Sequence, residues 1–150
     1  MDDKSTYYMN LALEEAKSAL NEGEIPVGAV LVKNDEILAK GHNHRESTSD
    51  ISSHAEIEVL REAGKRLGTW DLSGCTLYVT LEPCLMCAGA IEQSRISTLV
   101  YGADDPSEGA VTSKRAVFDG KANSLLIYRG IEKERCEAIL RDFFYSKRGK

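Results

Sequence analysis

Two short stretches carry residue types able to do chemistry: His54-Ala55-Glu56 and Pro83-Cys84-Leu85-Met86-Cys87. One imidazole and two thiols suit a zinc ion, which takes nitrogen and sulfur ligands in tetrahedral geometry. Three protein ligands leave a fourth position for water, as catalytic sites do, whereas four ligands close a structural site. His54, Cys84 and Cys87 are therefore the candidate ligands of one Zn2+ per subunit. Zinc brings the pKa of a water it holds to roughly 7, so a hydroxide nucleophile is accessible at neutral pH. Glu56, beside His54, need not bind the metal. Its carboxylate can take a proton from that water and return it to a leaving group, which makes Glu56 the candidate catalytic acid and base.

The cysteine pair has other uses. A Cys-x-x-Cys that follows a strand and opens a helix can be a redox pair. Cys75 could close a structural zinc site as a fourth ligand. The presence of His54 and Glu56 at a helix start favours the catalytic reading. Cys75, at a strand start, and Cys136, with no partner signal, read as small buried hydrophobes.

The elements that must position these groups follow from periodicity. Residues 5–22 read as an amphipathic helix, with Tyr8, Leu11, Leu13, Ala16, Ala19 and Leu20 apolar and Gly23 suited to the C-terminal cap. Ile25 to Val32 is rich in β-branched residues and reads as a buried strand. Lys33 to Glu36 is a hairpin turn, and Ile37 to Ala39 begins the return strand. Gly41 to Asp50 is polar and loop-like. Ser52 or Ser53 offers an N-cap to a helix running to about Arg66. Thr76 to Leu81 is a strand, and Pro83 opens a helix at the position where its missing N–H costs nothing. Ile96 to Tyr101 and Leu125 to Tyr128 read as strands and Glu132 to Phe144 as a closing helix. The alternation predicts an α/β fold, a three-layer α/β/α domain with a mixed sheet. Such sheets gather chemistry at strand ends and helix N-termini, where both motifs fall. Two N-termini would then converge on the metal and favour thiolates.

A chain of 150 residues suits one domain spanning 1–150 with a real core. The longest apolar run, Ala29 to Val32, is far short of a membrane span. The first residues lack a signal-peptide pattern, so the expected location is cytoplasmic, and four cysteines are no disulfide framework there. The net charge of −5 argues against broad binding of nucleic acid driven by phosphate neutralisation. The mixed charges from Glu132 to Lys150 read as a solvated helix face, with a local basic patch as the other reading.

The His-x-Glu and Pro-Cys-x-x-Cys pairing matches the signature known for zinc deaminases. At these residues the chain resembles the cytidine/deoxycytidylate deaminase superfamily and, within it, the bacterial tRNA-specific adenosine deaminases. The resemblance runs through Thr76 to Ile91, Ser94-Arg95-Ile96, Pro26 to Val30, His54 to Ile57 and Tyr101-Gly102-Ala103. It implies a five-stranded mixed sheet, a homodimer with the cysteine-bearing helix at the interface, and close packing there at Gly89. It further implies that Asn43 hydrogen-bonds the target base and that the backbone of Val27, Gly28 and Ala29 lines its pocket. Asp105 would lie near the sugar, and Phe143 and Phe144 would form an aromatic pair on the last helix. Read from the residues alone, Asn43 and Asp105 also suit turns, and the two phenylalanines suit packing.

The chain departs from that pattern in places. Ile51-Ser52-Ser53 replaces Pro-Thr-Ala, Ser107 and Glu108 follow Asp-Pro where lysine is usual, Thr112-Ser113 replaces a glycine-serine pair, and Ala122-Asn123-Ser124 replaces Leu-Asn-His. The resemblance implies deamination of adenosine to inosine at the wobble position of tRNA, with the anticodon stem-loop as partner. The altered loops and acidic balance favour an alternative: a deaminase of a small free nucleobase or nucleoside such as guanine or cytosine. A metal-binding relative without catalysis is a third reading, and the presence of Glu56 speaks against it.

Overall fold

A computed structural model of the chain describes residues 3–120 and 125–148. The replaced element Ala122-Asn123-Ser124 lies outside the described residues. The elements run α1 (Asp3–Asn21), β1 (Gly28–Lys33), β2 (Glu36–His42), α2 (Arg45–Thr48), α3 (Ala55–Leu67), β3 (Thr76–Leu81), α4 (Leu85–Ser94), β4 (Thr98–Ala103), β5 (Leu126–Arg129) and α5 (Lys133–Arg148). Five strands form one sheet in the order β2-β1-β3-β4-β5. β1 pairs antiparallel with β2 and β3, while β3, β4 and β5 are mutually parallel. The sheet is mixed, as the alternation of elements predicts.

The period-2 alternation of side chains explains the layers. Val30 and Val32 of β1 join Tyr78 and Val100 under Tyr8, Met9 and Ala12 of α1 and Cys136 of α5. Their neighbours Ala29 and Leu31 face the other way, with Leu77, Val79 and Leu99, onto Val59 and Ala63 of α3 and Ala88 and Ile91 of α4. Both faces of the central strands are therefore covered, which is why they read as continuous apolar runs. Gly28 lets α1 cross β1 closely: a Cβ there would run into the backbone of Ala12 and Ala16.

Several boundaries differ from the sequence reading. β1 begins at Gly28, because Pro26 has no N–H and the Val27 N–H bonds back to the Ile25 carbonyl. The hairpin is tight, with Asn34 at φ 50° and Asp35 at φ 63°, the left-handed conformations that a two-residue turn demands. Gly41 to Asp50 is not all loop: β2 continues to His42, and α2 follows. The N-cap of α3 is His54, with no side-chain cap bond, and not Ser52 or Ser53. Ser52 is taken by the Asp50 carboxylate, to which its N–H and hydroxyl donate at 2.9 and 2.7 Å. α4 likewise starts at Leu85 with Cys84 as N-cap, two residues beyond the predicted start at Pro83. Pro83 instead gives its carbonyl to Ala110 N–H at 2.9 Å.

Candidate active site

His54 and Cys84 are both N-cap residues whose side chains leave their own helix ends uncapped and turn toward each other. His54 Nδ1 lies 3.6 Å from Cys84 Sγ and 3.5 Å from Cys87 Sγ. Tetrahedral zinc with bonds of about 2.05 Å to nitrogen and 2.3 Å to sulfur separates nitrogen from sulfur by about 3.6 Å, so both sulfurs already stand at coordination spacing from the imidazole. The donor set, one imidazole and two thiols, also fits zinc. All three ligand atoms fall within 4.8 Å of one another, and the group contains no fourth protein ligand among the described residues. Cys75 is fully buried in the core cluster at the start of β3 and plays no part. That removes the closed structural site considered from the sequence.

The electrostatics follow from contact. The hydrogen bond with Cys87, opposed by burial and aided by His54, brings the Cys84 thiol down to about 4. Cys87 moves the other way, raised by its bond to Cys84 and by burial, so the pair divides one proton unequally. The helix N-terminus adds its own preference for the thiolate. Glu56 stands one helical residue inside, 4% exposed, with its carboxyl in hydrogen-bonding reach of Cys87. Burial pushes that carboxyl up to about 7. The arrangement can hold a metal on one side and a mobile proton on the other.

The residues expected to line a base pocket come from the start of β1 and the end of β2. Asn43 is buried just beyond β2; its N–H donates to the Val27 carbonyl at 3.2 Å, and its Oδ1 accepts from Arg45 N–H at 3.1 Å. It forms a turn, one reading of the sequence, while standing beside Val27. Gly28 N–H donates to Thr80 Oγ1 at 3.2 Å, and Val27 and Ala29 share a cluster with Ala55 at the start of α3. Val27 and Ala29 thus pack with Ala55, the chain neighbour of Glu56, and Asn43 is joined to Val27. Asp105 is also a turn residue: its Oδ1 accepts from the Ser107 N–H at 3.2 Å and hydroxyl at 3.0 Å. Phe144 is exposed on α5, the helix on the opposite face of the sheet from α3 and α4, and Phe143 is buried against it edge-on. The structure does not bring Phe144 into the metal cluster.

Residues 2–103 match the model of the cytidine and deoxycytidylate deaminase zinc-binding region. The chain belongs to that deaminase family. A tRNA-specific adenosine deaminase of Bacillus subtilis strain 168 is 47% identical over 145 residues, covering 95% of this chain and 90% of that protein. A structure solved in a study of A-to-I editing by tRNA:A34 deaminases superposes with a TM-score of 0.87 at 44% identity, covering 90% of this chain and 99% of that one. A guanine deaminase from Nitrosomonas europaea superposes at 0.80 with 25% identity, over 92% of this chain and 83% of that one. The cofactor of this deaminase is zinc, and its reaction class is hydrolytic deamination.

Two buried carboxylates of this deaminase escaped the sequence reading. Glu82 is 2% exposed and accepts from the N–H groups of Asp105, Val111 and Thr112 at 3.0, 3.0 and 2.8 Å, from Ser113 N–H at 3.0 Å, and from the Ser113 hydroxyl. Burial alone would raise its pKa; the donors outweigh burial and hold it below the usual carboxylate range. It folds the 105–113 loop against the zinc helix, where Gly109 pairs with Cys84 and leaves no room for a Cβ. Glu24 does the same for α2, accepting from Glu46 and Ser47 N–H at 3.0 and 2.7 Å. In the sequence each is one acid among many, since its partners lie more than twenty residues away.

Proposed function

We propose that this deaminase converts adenosine to inosine at the wobble position of tRNA, acting on the anticodon stem-loop. The supporting observation is that the likeness to tRNA-specific adenosine deaminases runs through nearly the whole chain, pocket wall included. His54 Nδ1 and the sulfurs of Cys84 and Cys87 would hold the zinc. When bound, zinc supplies a Lewis acid that makes water nucleophilic at neutral pH. Asn43 and the backbone at Val27, Gly28 and Ala29 hold the flipped base. Glu56 receives the proton that water gives up and delivers it to the exocyclic amine. The C6–O bond forms, the C6–N bond breaks, and ammonia leaves. Asp105 meets the sugar with its second carboxylate oxygen, and Phe144 extends the contact from α5.

The chain is read as one domain working in the cytoplasm as a homodimer. Support for the dimer comes from α4, where Leu85 is 50% and Met86 37% exposed and nothing stands within 4 Å of a Cβ placed on Gly89. Leu85→Lys is expected to yield a monomer in sedimentation velocity. No helix of the described residues is long and apolar enough to cross a membrane.

The deciding experiment incubates the zinc-loaded enzyme with anticodon stem-loop RNA and, separately, with adenine, guanine, cytosine and their nucleosides. Inosine in the RNA is the expected product. Ammonia from free bases alone would replace this reading with that of a small-molecule deaminase.

A further inference from the structure

A second group of ligands stands apart from the zinc cluster. His42 ends β2 and His44 follows the Asn43 turn, which brings their rings to the same side with centroids 4.3 Å apart. Both rings aim Nε2 at one carboxylate just past α1: Glu22 Oε1 lies 3.1 Å from His42 Nε2 and 3.6 Å from His44 Nε2. The three ligand atoms fall within 4.8 Å of one another. Nitrogen and oxygen donors around a tetrahedral metal at about 2.05 Å stand about 3.3 Å apart, between those two spacings.

Each ring also has a second acidic partner. Glu15 Oε1 lies 2.8 Å from His42 Nδ1, and Glu58 Oε1 lies 3.9 Å from His44 Nδ1. The Glu15 carboxylate behind His42 Nδ1 is an outer partner of the kind that orients a metal-bound histidine. Three carboxylates, Glu15, Glu22 and Glu58, surround the two imidazoles. Glu22 bridges the two rings, its oxygens at 3.1 and 3.2 Å from His42 Nε2 and its Oε1 at 3.6 Å from His44 Nε2. The zinc cluster uses none of these residues.

The geometry points to a second divalent transition-metal site formed by His42, His44 and Glu22, with His42 oriented by Glu15. Two imidazoles and a carboxylate suit zinc, cobalt or nickel. The ligands come from the end of α1 and from both sides of Asn43. An ion there would pin the α1–β1 connection to the wall of the base pocket and leave a coordination position toward solvent on the Glu22 side. The site does not depend on which base the enzyme deaminates.

The test measures metal content and requires no turnover. Protein carrying one zinc per chain is titrated calorimetrically with Zn2+ and then, separately, with Co2+. A second equivalent is expected, and cobalt should give tetrahedral visible absorption without the near-ultraviolet thiolate band that the cysteine site would produce. His44→Ala and Glu22→Gln lie at partly exposed positions and should lose the second equivalent while retaining the first. Glu15→Gln should weaken it by about 10- to 100-fold. Absence of a second equivalent in the unaltered protein, or its survival undiminished in both His44→Ala and Glu22→Gln, would overturn the assignment. The first result would mean that a proton, not a metal, joins His42 to Glu22. Substrate assays are not read out, so failure of the tRNA proposal registers separately.

Discussion

Glu56 illustrates how much one buried side chain depends on its neighbours. It sits at the start of α3 with its carboxyl beside Cys87, out of water. Glu56→Ala is expected to lower kcat by about 10²- to 10⁴-fold, the usual worth of a positioned proton carrier, while the protein keeps its zinc. Single-turnover kinetics with metal analysis on the same sample checks both halves; zinc loss would make the residue a support of the metal instead. Glu82 is the structural counterpart. Its carboxylate gathers donors from Asp105 to Ser113, and an amide in its place would turn two N–H groups toward them. Glu82→Gln should therefore cost about 3 kcal/mol in urea denaturation. A loss below the error of that measurement would mean that water replaces the carboxylate in the variant. The clustering of His54, Cys84 and Cys87 was legible because their types and spacing carry a local message. Glu82 and Glu24 were not, because a buried acid is identified by its partners, and these are distant in sequence.

The elements show the same division. β3 was legible to the residue, since Thr76 to Leu81 is rich in β-branched and aromatic residues and bounded by turns. The starts of α3 and α4 were misplaced by a residue or two because the N-cap positions are occupied by His54 and Cys84, which turn toward the metal site and leave their helix ends uncapped. α2 was read as loop because four polar residues carry no period; it exists because Glu24, on another segment, satisfies its first N–H groups. Gly28 had been assigned to the pocket through its backbone, yet its lack of a side chain serves the opposite face, where α1 crosses β1. Gly28→Ala is accordingly expected to push α1 outward and destabilise the fold by about 3 kcal/mol, the upper range for overpacking. Thermal unfolding would detect it, and an unchanged Tm would show that α1 can shift freely.

At the scale of the whole molecule, charge has to be reconciled with an RNA substrate. The net charge is −5, so the long-range field offers tRNA no attraction, and binding must rest on a few local cations and on the inserted base. The 105–113 loop weakens that supply further. Glu108 stands where the family pattern has a lysine nearby, and its carboxylate lies 3.7 Å from Lys114 Nζ, partly neutralising a cation on the same loop. Glu108→Lys would replace a negative charge by a positive one, a change of about two units, and release Lys114 from its pair. If the loop faces the anticodon stem-loop, that gains one or two phosphate contacts. The plot of log K against log salt should then steepen by about 0.7 to 1.4, with tighter binding at low salt. Fluorescence anisotropy of labelled stem-loop RNA across a salt series, with inactive Glu56→Ala enzyme to prevent turnover, measures both quantities. Equal affinity and equal slope in the two proteins would place the loop away from the RNA. It would also shift the weight of tRNA recognition to α5, where Phe144 and the exposed Arg141 and Lys147 stand.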